Sequence, residues 1–259
     1  MLDKKNSTTV IYPSLAGRHA LVSGGATGIG EALVRALTLQ GCFVSFFDID
    51  QVAGNALAQE LTASGAQVHF TGVDLSDIEC LQASIAARIQ RWGAIRILIN
   101  NAADDQRHGL QDVTSEQFDL CMSVNLKHHF FAAQVVAPAM AEAGGGSIIN
   151  MSSNSWLLGL TGYPGYVAAK AGIYGLSKSL ARELGPQKIR VNTVLPGWVM
   201  TQKQKNLWLT PESEAELMSQ QSLKEKIQPD DVADLVLFLA SDNSRMISGQ
   251  SFVIDGGRL

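Results

Sequence analysis

Cysteine is scarce in this chain. Its three residues, Cys42, Cys80 and Cys121, are odd in number and scattered. That excludes a disulfide framework and a spaced metal-ligand set, so no metal is expected, and it fits a reducing compartment. An excess of basic charge is also missing: 20 Lys and Arg stand against 24 Asp and Glu, a net charge of −4. The chain therefore carries no electrostatic footprint for nucleic acid or for an anionic membrane. Long apolar runs are absent too. Hydrophobic residues make up 46% of the sequence, but charges and glycines break them before any run reaches membrane-spanning length. The first dozen residues are polar and hold no signal-peptide hydrophobic region, so a cytoplasmic location is expected. No repeat and no internal linker interrupts the rest. The 259 residues suffice for one large α/β domain. The expected organisation is a loose arm over residues 1–16, then one domain over 17–259, with 198–227 as a substrate loop or lid.

What is present is a steady alternation of apolar runs and helical patterns. Strands are expected near 19–23, 43–47, 67–73, 95–99, 147–151, 189–194 and 251–255. Helices fall between them, at 31–40, 51–63, 77–92, 114–141, 166–184 and 229–240. Strand and helix in turn, from end to end, argue for a single doubly wound parallel sheet with helices on both faces, a Rossmann-type α/β fold. Ligands of such sheets bind beyond the carboxyl ends of the strands.

The residues at those ends carry chemistry. After the first strand comes Gly24-Gly25-Ala26-Thr27-Gly28-Ile29-Gly30, at a strand-to-helix turn. Backbone can approach a pyrophosphate there, and a helix N-terminus supplies N–H donors. The second strand ends in Asp48, placed to accept from both ribose hydroxyls of an adenosine. It would repel a 2′-phosphate: two unit charges about 4 Å apart cost about 4 kcal/mol at an effective dielectric of 20. NAD is therefore expected over NADP. Asp74-Leu75 ends the third strand, where Asp74 either bonds the adenine edge or caps the next helix with Ser76 and Asp77. Asn100-Asn101-Ala102-Ala103 ends the fourth and suits contact with a ribose. Asn125 lies within the long helix, where an asparagine is unfavourable unless its side chain is used. It either interrupts the helix and holds a water or faces solvent. His128 and His129, in the same helix, read as structural.

Ser153 ends the fifth strand, and Tyr166 and Lys170 stand four apart on the next helix. A free tyrosine, with a pKa of about 10, is phenolate only about once in a thousand at neutral pH. A lysine ammonium beside it would lower that pKa and make the tyrosine a usable base. Ser153 can hold a substrate oxygen before it. Pro196-Gly197 follows the sixth strand.

Taken together, Ser23-Gly24-x-x-x-Gly28-Ile29-Gly30, Asn100-Asn101-Ala102-Ala103, Asn125, Ser153 and Tyr166-x-x-x-Lys170 resemble the short-chain dehydrogenase/reductase family over nearly the whole chain. Two departures stand out, Ser23 where Thr is usual and Ala103 where Gly is usual. Both are small and leave cofactor binding intact. The resemblance implies Tyr166 as the base and Lys170 as its tuner and a ribose ligand. It implies Ser153 as the substrate-oxygen anchor and Asn125 as the holder of a proton-relay water. It places Gly197, Val199 and Thr201 along a nicotinamide, and it implies a homotetramer or homodimer. The reaction implied is hydride transfer between a carbinol carbon and NAD.

Asp104-Asp105-Gln106-Arg107-His108, Asn154-Ser155-Trp156 and Leu207-Trp208-Leu209-Thr210-Pro211-Glu212 resemble bacterial aldose 1-dehydrogenases, which act on sugars such as D-xylose, L-arabinose or D-galactose. A pyranose needs several fixed donors and acceptors and an aromatic face. Asp104, Gln106, Arg107, His108 and Asn154 can supply the first, and Trp156, Trp198 or Trp208 the second. On that reading C1 is oxidised to an aldonolactone. Other substrates stay open: a polyol, a steroid or a 3-oxoacyl thioester, the last served by a basic patch of Lys203, Lys205, Lys224 and Lys226. Reductive use of NADPH and a silent nucleotide-binding module also remain.

Overall fold

His19–Ser23 (β1) is buried at every position, as a strand covered on both faces must be. In the computed structural model, which describes residues 10–259, six more strands join it: Phe43–Asp48 (β2), Val68–Gly72 (β3), Ile95–Asn100 (β4), Gly146–Met151 (β5), Ile189–Pro196 (β6) and Ser251–Ile254 (β7). They form one sheet in the order β3-β2-β1-β4-β5-β6-β7, and every pairing is parallel. This is the doubly wound α/β sheet expected of the sequence. The order reverses between β1 and β4, and a crevice opens where connections leave in opposite directions.

Two helical layers cover the sheet. On one side Gly28–Leu39 (α1), Gln51–Ala63 (α2) and Pro229–Ala240 (α9) bury Leu33, Leu37, Leu57, Val236 and Leu239 against Val22, Phe46 and Ile99. On the other, Ile78–Trp92 (α3), His128–Glu142 (α5) and Pro164–Leu184 (α6) bury Ile85, Val136, Met140 and Leu180 against Leu21, Leu98 and Ile148. Among the described residues no helix is long and apolar enough to cross a membrane.

Three local expectations change. Helix α1 begins at Gly28 rather than Glu31, so Gly28-Ile29-Gly30 is its first turn. Packing overrides the low helix propensity of glycine there. The single helix expected over 114–141 is broken. Ser115–Met122 (α4) leads into a π-helical turn at Ser123–Lys127, and α5 follows. A π turn inserts an extra residue, and here it turns Asn125 inward, where it is buried. The arm is not loose where it is described. Pro13–Leu15 is a 3-10 turn, Leu15 is fully buried, and Tyr12 N–H donates to Gln40 Oε1 at 2.8 Å. Residues 1–9 of that expected arm lie outside the described residues. The stretch 198–227 contains Gln202–Leu207 (α7) and Pro211–Gln220 (α8), N-capped by Thr201 and Thr210.

Candidate active site

Beyond the carboxyl ends of the strands lies a cleft of about 1180 Å³. Its lining includes the residues proposed from the sequence for cofactor and catalysis, and most of those proposed for substrate: Gly24, Thr27, Gly28, Ile29, Gly30, Asp48, Asp74, Leu75, Asn101, Gln106, His108, Asn125, Ser153, Asn154, Tyr166, Lys170, Pro196, Gly197, Trp198, Val199 and Thr201. One sheet edge gathers them because each follows a strand of the same parallel sheet.

The glycine turn is compact. A Cβ on Gly30 would sit 1.7 Å from Gly24 O, and one on Gly24, whose φ is +63°, would meet Ala102 Cα at 2.7 Å. No larger residue fits either place, and the first N–H groups of α1, which have no intrahelical partner, face the cleft. Ser23 Oγ accepts from Asn101 N at 3.0 Å and Ala102 N at 3.2 Å. Asn101 Nδ2 donates to Ser23 O at 3.1 Å and Gly24 O at 2.9 Å. Its amide thus clamps the turn across the β1/β4 switch point, rather than being held out toward a ribose. The cradle and its donors fit a pyrophosphate.

Asp48 is held in place by two backbone donors, Ala26 N at 2.9 Å and Asp50 N at 3.0 Å, one on each carboxylate oxygen. Asp74 Oδ1 accepts from Ser76 N and Oγ, at 2.9 and 2.7 Å, while Asp77 caps α3. Asp74 therefore shapes the turn and leaves its other oxygen to the cleft.

The Ser153 hydroxyl stands close enough to the Tyr166 phenol to act on its pKa, while its Oγ accepts from Ser155 N at 3.1 Å. Lys170, buried on α6, donates to Met151 O at 2.8 Å, and its Nζ lies 5.6 Å from the centre of the Tyr166 ring. The electrostatics differ from the expected pairing. Burial pushes the Tyr166 phenol up, the Asp105 carboxylate pushes it further, and the Ser153 hydroxyl only partly opposes them. Burial also lowers Lys170 to about 7, against the pull of Asp105 and Cys121. Desolvation outweighs charge here, so the chain's own groups favour neutral phenol over phenolate.

Asn125 does not face solvent. Its Oδ1 accepts from Asp104 N at 2.9 Å, and its Nδ2 donates to Asp104 O and Cys121 O, both at 3.0 Å. The side chain is spent on the loop after β4, so a relay water cannot be its sole partner. His128 and His129 are fully buried beneath the site. His128 Nε2 donates to Ala102 O at 3.2 Å, and His129 Nδ1 to Asn150 Oδ1 at 3.1 Å.

The substrate side is cross-tied. Asp105 accepts from Lys203 Nζ and Gln204 Nε2, both at 2.8 Å, and Gln204 Oε1 accepts from Trp198 Nε1 at 2.8 Å. The Arg107 guanidinium stacks 3.7 Å from the centre of Tyr163 and 5.1 Å from that of Trp208. Tyr163 in turn packs on Tyr166 at 5.2 Å. His108 N donates to Gly162 O at 2.7 Å, and Gln106 is exposed at the mouth. Asn154 is buried, with Nδ2 on Asp255 Oδ2 at 3.2 Å. Trp156 packs on Tyr174 at 5.8 Å and does not line the cleft. Three lysines of the expected basic patch are engaged, two of them by carboxylates. Lys203 pairs with Asp104 and Asp105, Lys226 pairs with Glu214, and Lys224 donates to the carbonyls of Met218 and Gln221.

Tyr163, Asp255 and the bridging role of Asp105 escaped the sequence. Each acts through a contact made only in the folded chain. The one available signal was the adjacency of Asp105 to Asn101-Ala102-Ala103.

Known proteins resemble this chain over nearly its whole length. The family model described as enoyl-(acyl carrier protein) reductase matches residues 24–258. "Probable galactose dehydrogenase GalD" of Rhizobium meliloti (strain 1021) is 47% identical over 95% of this chain and 96% of its own length. A D-xylose 1-dehydrogenase of Caulobacter vibrioides is 44% identical over 96% of this chain and 99% of its own. A crystal structure described as that of "a putative short-chain alcohol dehydrogenase from Sinorhizobium meliloti 1021" superposes with a TM-score of 0.90 at 28% identity. That match covers 95% of this chain and 98% of the other.

Proposed function

The chain belongs to the short-chain dehydrogenase/reductase family, and from that premise we propose that it oxidises the C1 hydroxyl of an aldose, with NAD, to an aldonolactone. It is an oxidoreductase of CH–OH donors. The observation that carries the reading is the meeting of Ser153, Tyr166 and Lys170 with the glycine cradle in one cleft. When bound, the nicotinamide supplies the acceptor for the two electrons and hydrogen lost by the carbinol carbon.

The chain's residues supply the rest. Gly24, Thr27, Gly28, Ile29 and Gly30 hold the pyrophosphate, and Asp48 takes the adenosine ribose and disfavours a 2′-phosphate. Asp74, Leu75 and Asn101 border the adenine half, while Pro196, Gly197, Val199 and Thr201 border the nicotinamide half. Ser153 holds the substrate oxygen against Tyr166 Oη, which accepts the hydroxyl proton. Lys170, anchored by Met151 O, would hold the nicotinamide ribose. Asn125 fixes the loop that forms the substrate wall. Because the chain's own groups hold the phenol protonated, oxidation is favoured at alkaline pH and the reductive direction near neutrality.

The sugar rests on the names borne by the two bacterial relatives and on a polar wall containing Asn154, Gln106 and His108, with Trp198 and Trp208 beside it. A 3-oxoacyl carrier is disfavoured because three of the four lysines that would greet its phosphate are already engaged. The protein is proposed to act in the cytoplasm as a homotetramer or homodimer.

A panel of aldoses and polyols with NAD and with NADP, followed by NADH absorbance, tests the reading. Turnover of an aldose with NAD, lost by at least about a thousandfold in Tyr166→Phe while nucleotide affinity holds, is expected. Persisting turnover in that variant removes the mechanism, and turnover of polyols or steroids alone removes the sugar.

A further inference from the structure

Asp255 directly follows β7 and is buried, yet it makes no ion pair among the described residues. Its carboxylate is filled by four donors instead. Oδ1 accepts from Gly257 N at 2.9 Å and Arg258 N at 3.1 Å, and Oδ2 from Leu259 N and Asn154 Nδ2, both at 3.2 Å. Three of the four are backbone, so the carboxylate is fixed by its own chain. The fourth is a side chain of the cleft wall, one residue after Ser153.

The consequence concerns which end of the Asn154 amide meets the substrate. An amide carries two donors on nitrogen and an acceptor on oxygen, and a carboxylate can only accept. Asp255 therefore takes the nitrogen and turns the oxygen the other way. Asn154 Oδ1 accepts no hydrogen bond among the described residues and is not sealed from solvent, although the residue as a whole is 3% exposed and lines the cleft. The oxygen is thus the end of the Asn154 amide left without a partner, on a residue that lines the cleft.

We propose that Asp255 is a positioning residue for substrate recognition: it locks the Asn154 amide with its oxygen toward the cleft, so that the pocket reads a hydroxyl donor on the sugar. This rests on the aldose reading for the identity of the hydroxyl's owner. The geometry applies to any alcohol with a second hydroxyl. With Asp255→Asn, the partner both donates and accepts, and the Asn154 amide loses its preferred sense.

The test uses the full-length protein, the aldose it oxidises best and the set of its monodeoxyfluoro analogues, whose fluorine cannot donate. In the wild type, fluorine at one ring position lowers kcat/KM at least about tenfold, the loss of roughly one hydrogen bond to a buried acceptor. In Asn154→Ala the same replacement at that position costs less than about twofold. Asp255→Asn raises KM for the parent sugar about tenfold with little change in kcat or in NADH affinity, and adds nothing to Asn154→Ala. A merely structural Asp255 would instead act additively with Asn154→Ala and lower NADH affinity and kcat together. Uniform tolerance of fluorine in the wild type overturns the proposal even if neither variant folds, and so does additivity of the two substitutions. If the wild type oxidises no aldose, the substrate reading falls by itself. The KM effects of the same two variants, alone and combined, on whichever alcohol is oxidised then decide the role of Asp255.

Discussion

Asn125 and Asp104 pair twice, side-chain amide to peptide group: Asp104 N reaches Asn125 Oδ1 at 2.9 Å, and Asn125 Nδ2 reaches Asp104 O at 3.0 Å. The next residue, Asp105, is tied to Lys203 and Gln204 on α7. A buried asparagine in a π turn is thereby joined through one loop to the segment that roofs the site.

Asp105 also acts on the base itself. Its carboxylate raises the Tyr166 phenol. Asp105→Asn should therefore move the rising limb of the kcat/KM profile for oxidation, which follows deprotonation of Tyr166, to lower pH. Weakening the tie to α7 should raise KM about tenfold, since a charge-assisted hydrogen bond is worth roughly 1.5–3 kcal/mol. A limb that stays in place, or moves up, would separate Asp105 from the tyrosine.

Lys170 sets stability against function. Burial takes it from the usual lysine value down to about 7, so the unfolded chain binds the extra proton across the interval above that value. Stability consequently rises with pH from about 7 toward the ordinary lysine range, and the penalty for the buried ammonium is complete below it. Lys170→Met should abolish turnover yet gain most in melting temperature near pH 6 and least near pH 10. Thermal unfolding of both proteins across that range checks it. A gain independent of pH would show that the ammonium is not what destabilises the site.

The histidine pair gives an acid signature. Burial and the neighbouring Lys170 lower His128 to about 3, and His129 also falls well below its ordinary value. The unfolded chain takes up protons below about pH 6.5 that the folded chain refuses, so stability declines as pH drops from 6.5 toward 3. His128 accounts for about 2 kcal/mol of that loss by pH 5. Urea titrations at pH 7 and pH 5 should reveal it, and His128→Gln should flatten the slope. Equal wild-type stability at the two values would mean that the pair is already protonated or exposed.

Much of this molecule is legible in local pattern. His19–Ser23 followed by Gly24–Gly30 is a strand and a glycine turn whatever surrounds it, and Tyr166 and Lys170 share a helix face by spacing alone. What stayed hidden depends on distant partners. Nothing near Asn125 in sequence says that it meets Asp104. Nothing near Asn154 announces Asp255, 101 residues away. The burial that raises the Tyr166 phenol is hidden for a related reason: spacing reports a neighbouring ammonium, whereas burial is a property of the whole fold.

The seam between β1 and β4 carries a kinetic consequence. Ser23 and Asn101, which lock the glycine turn, are 78 residues apart, and β2 and β3 lie between them in the chain but outside them in the sheet. The turn therefore acquires its shape only after a long loop has closed, an entropic cost met before any of its contacts reward it. Nucleotide-binding competence should thus emerge late in refolding, after the secondary structure of either half, and any ligand that favours the closed seam would act as a folding aid as well as a cofactor.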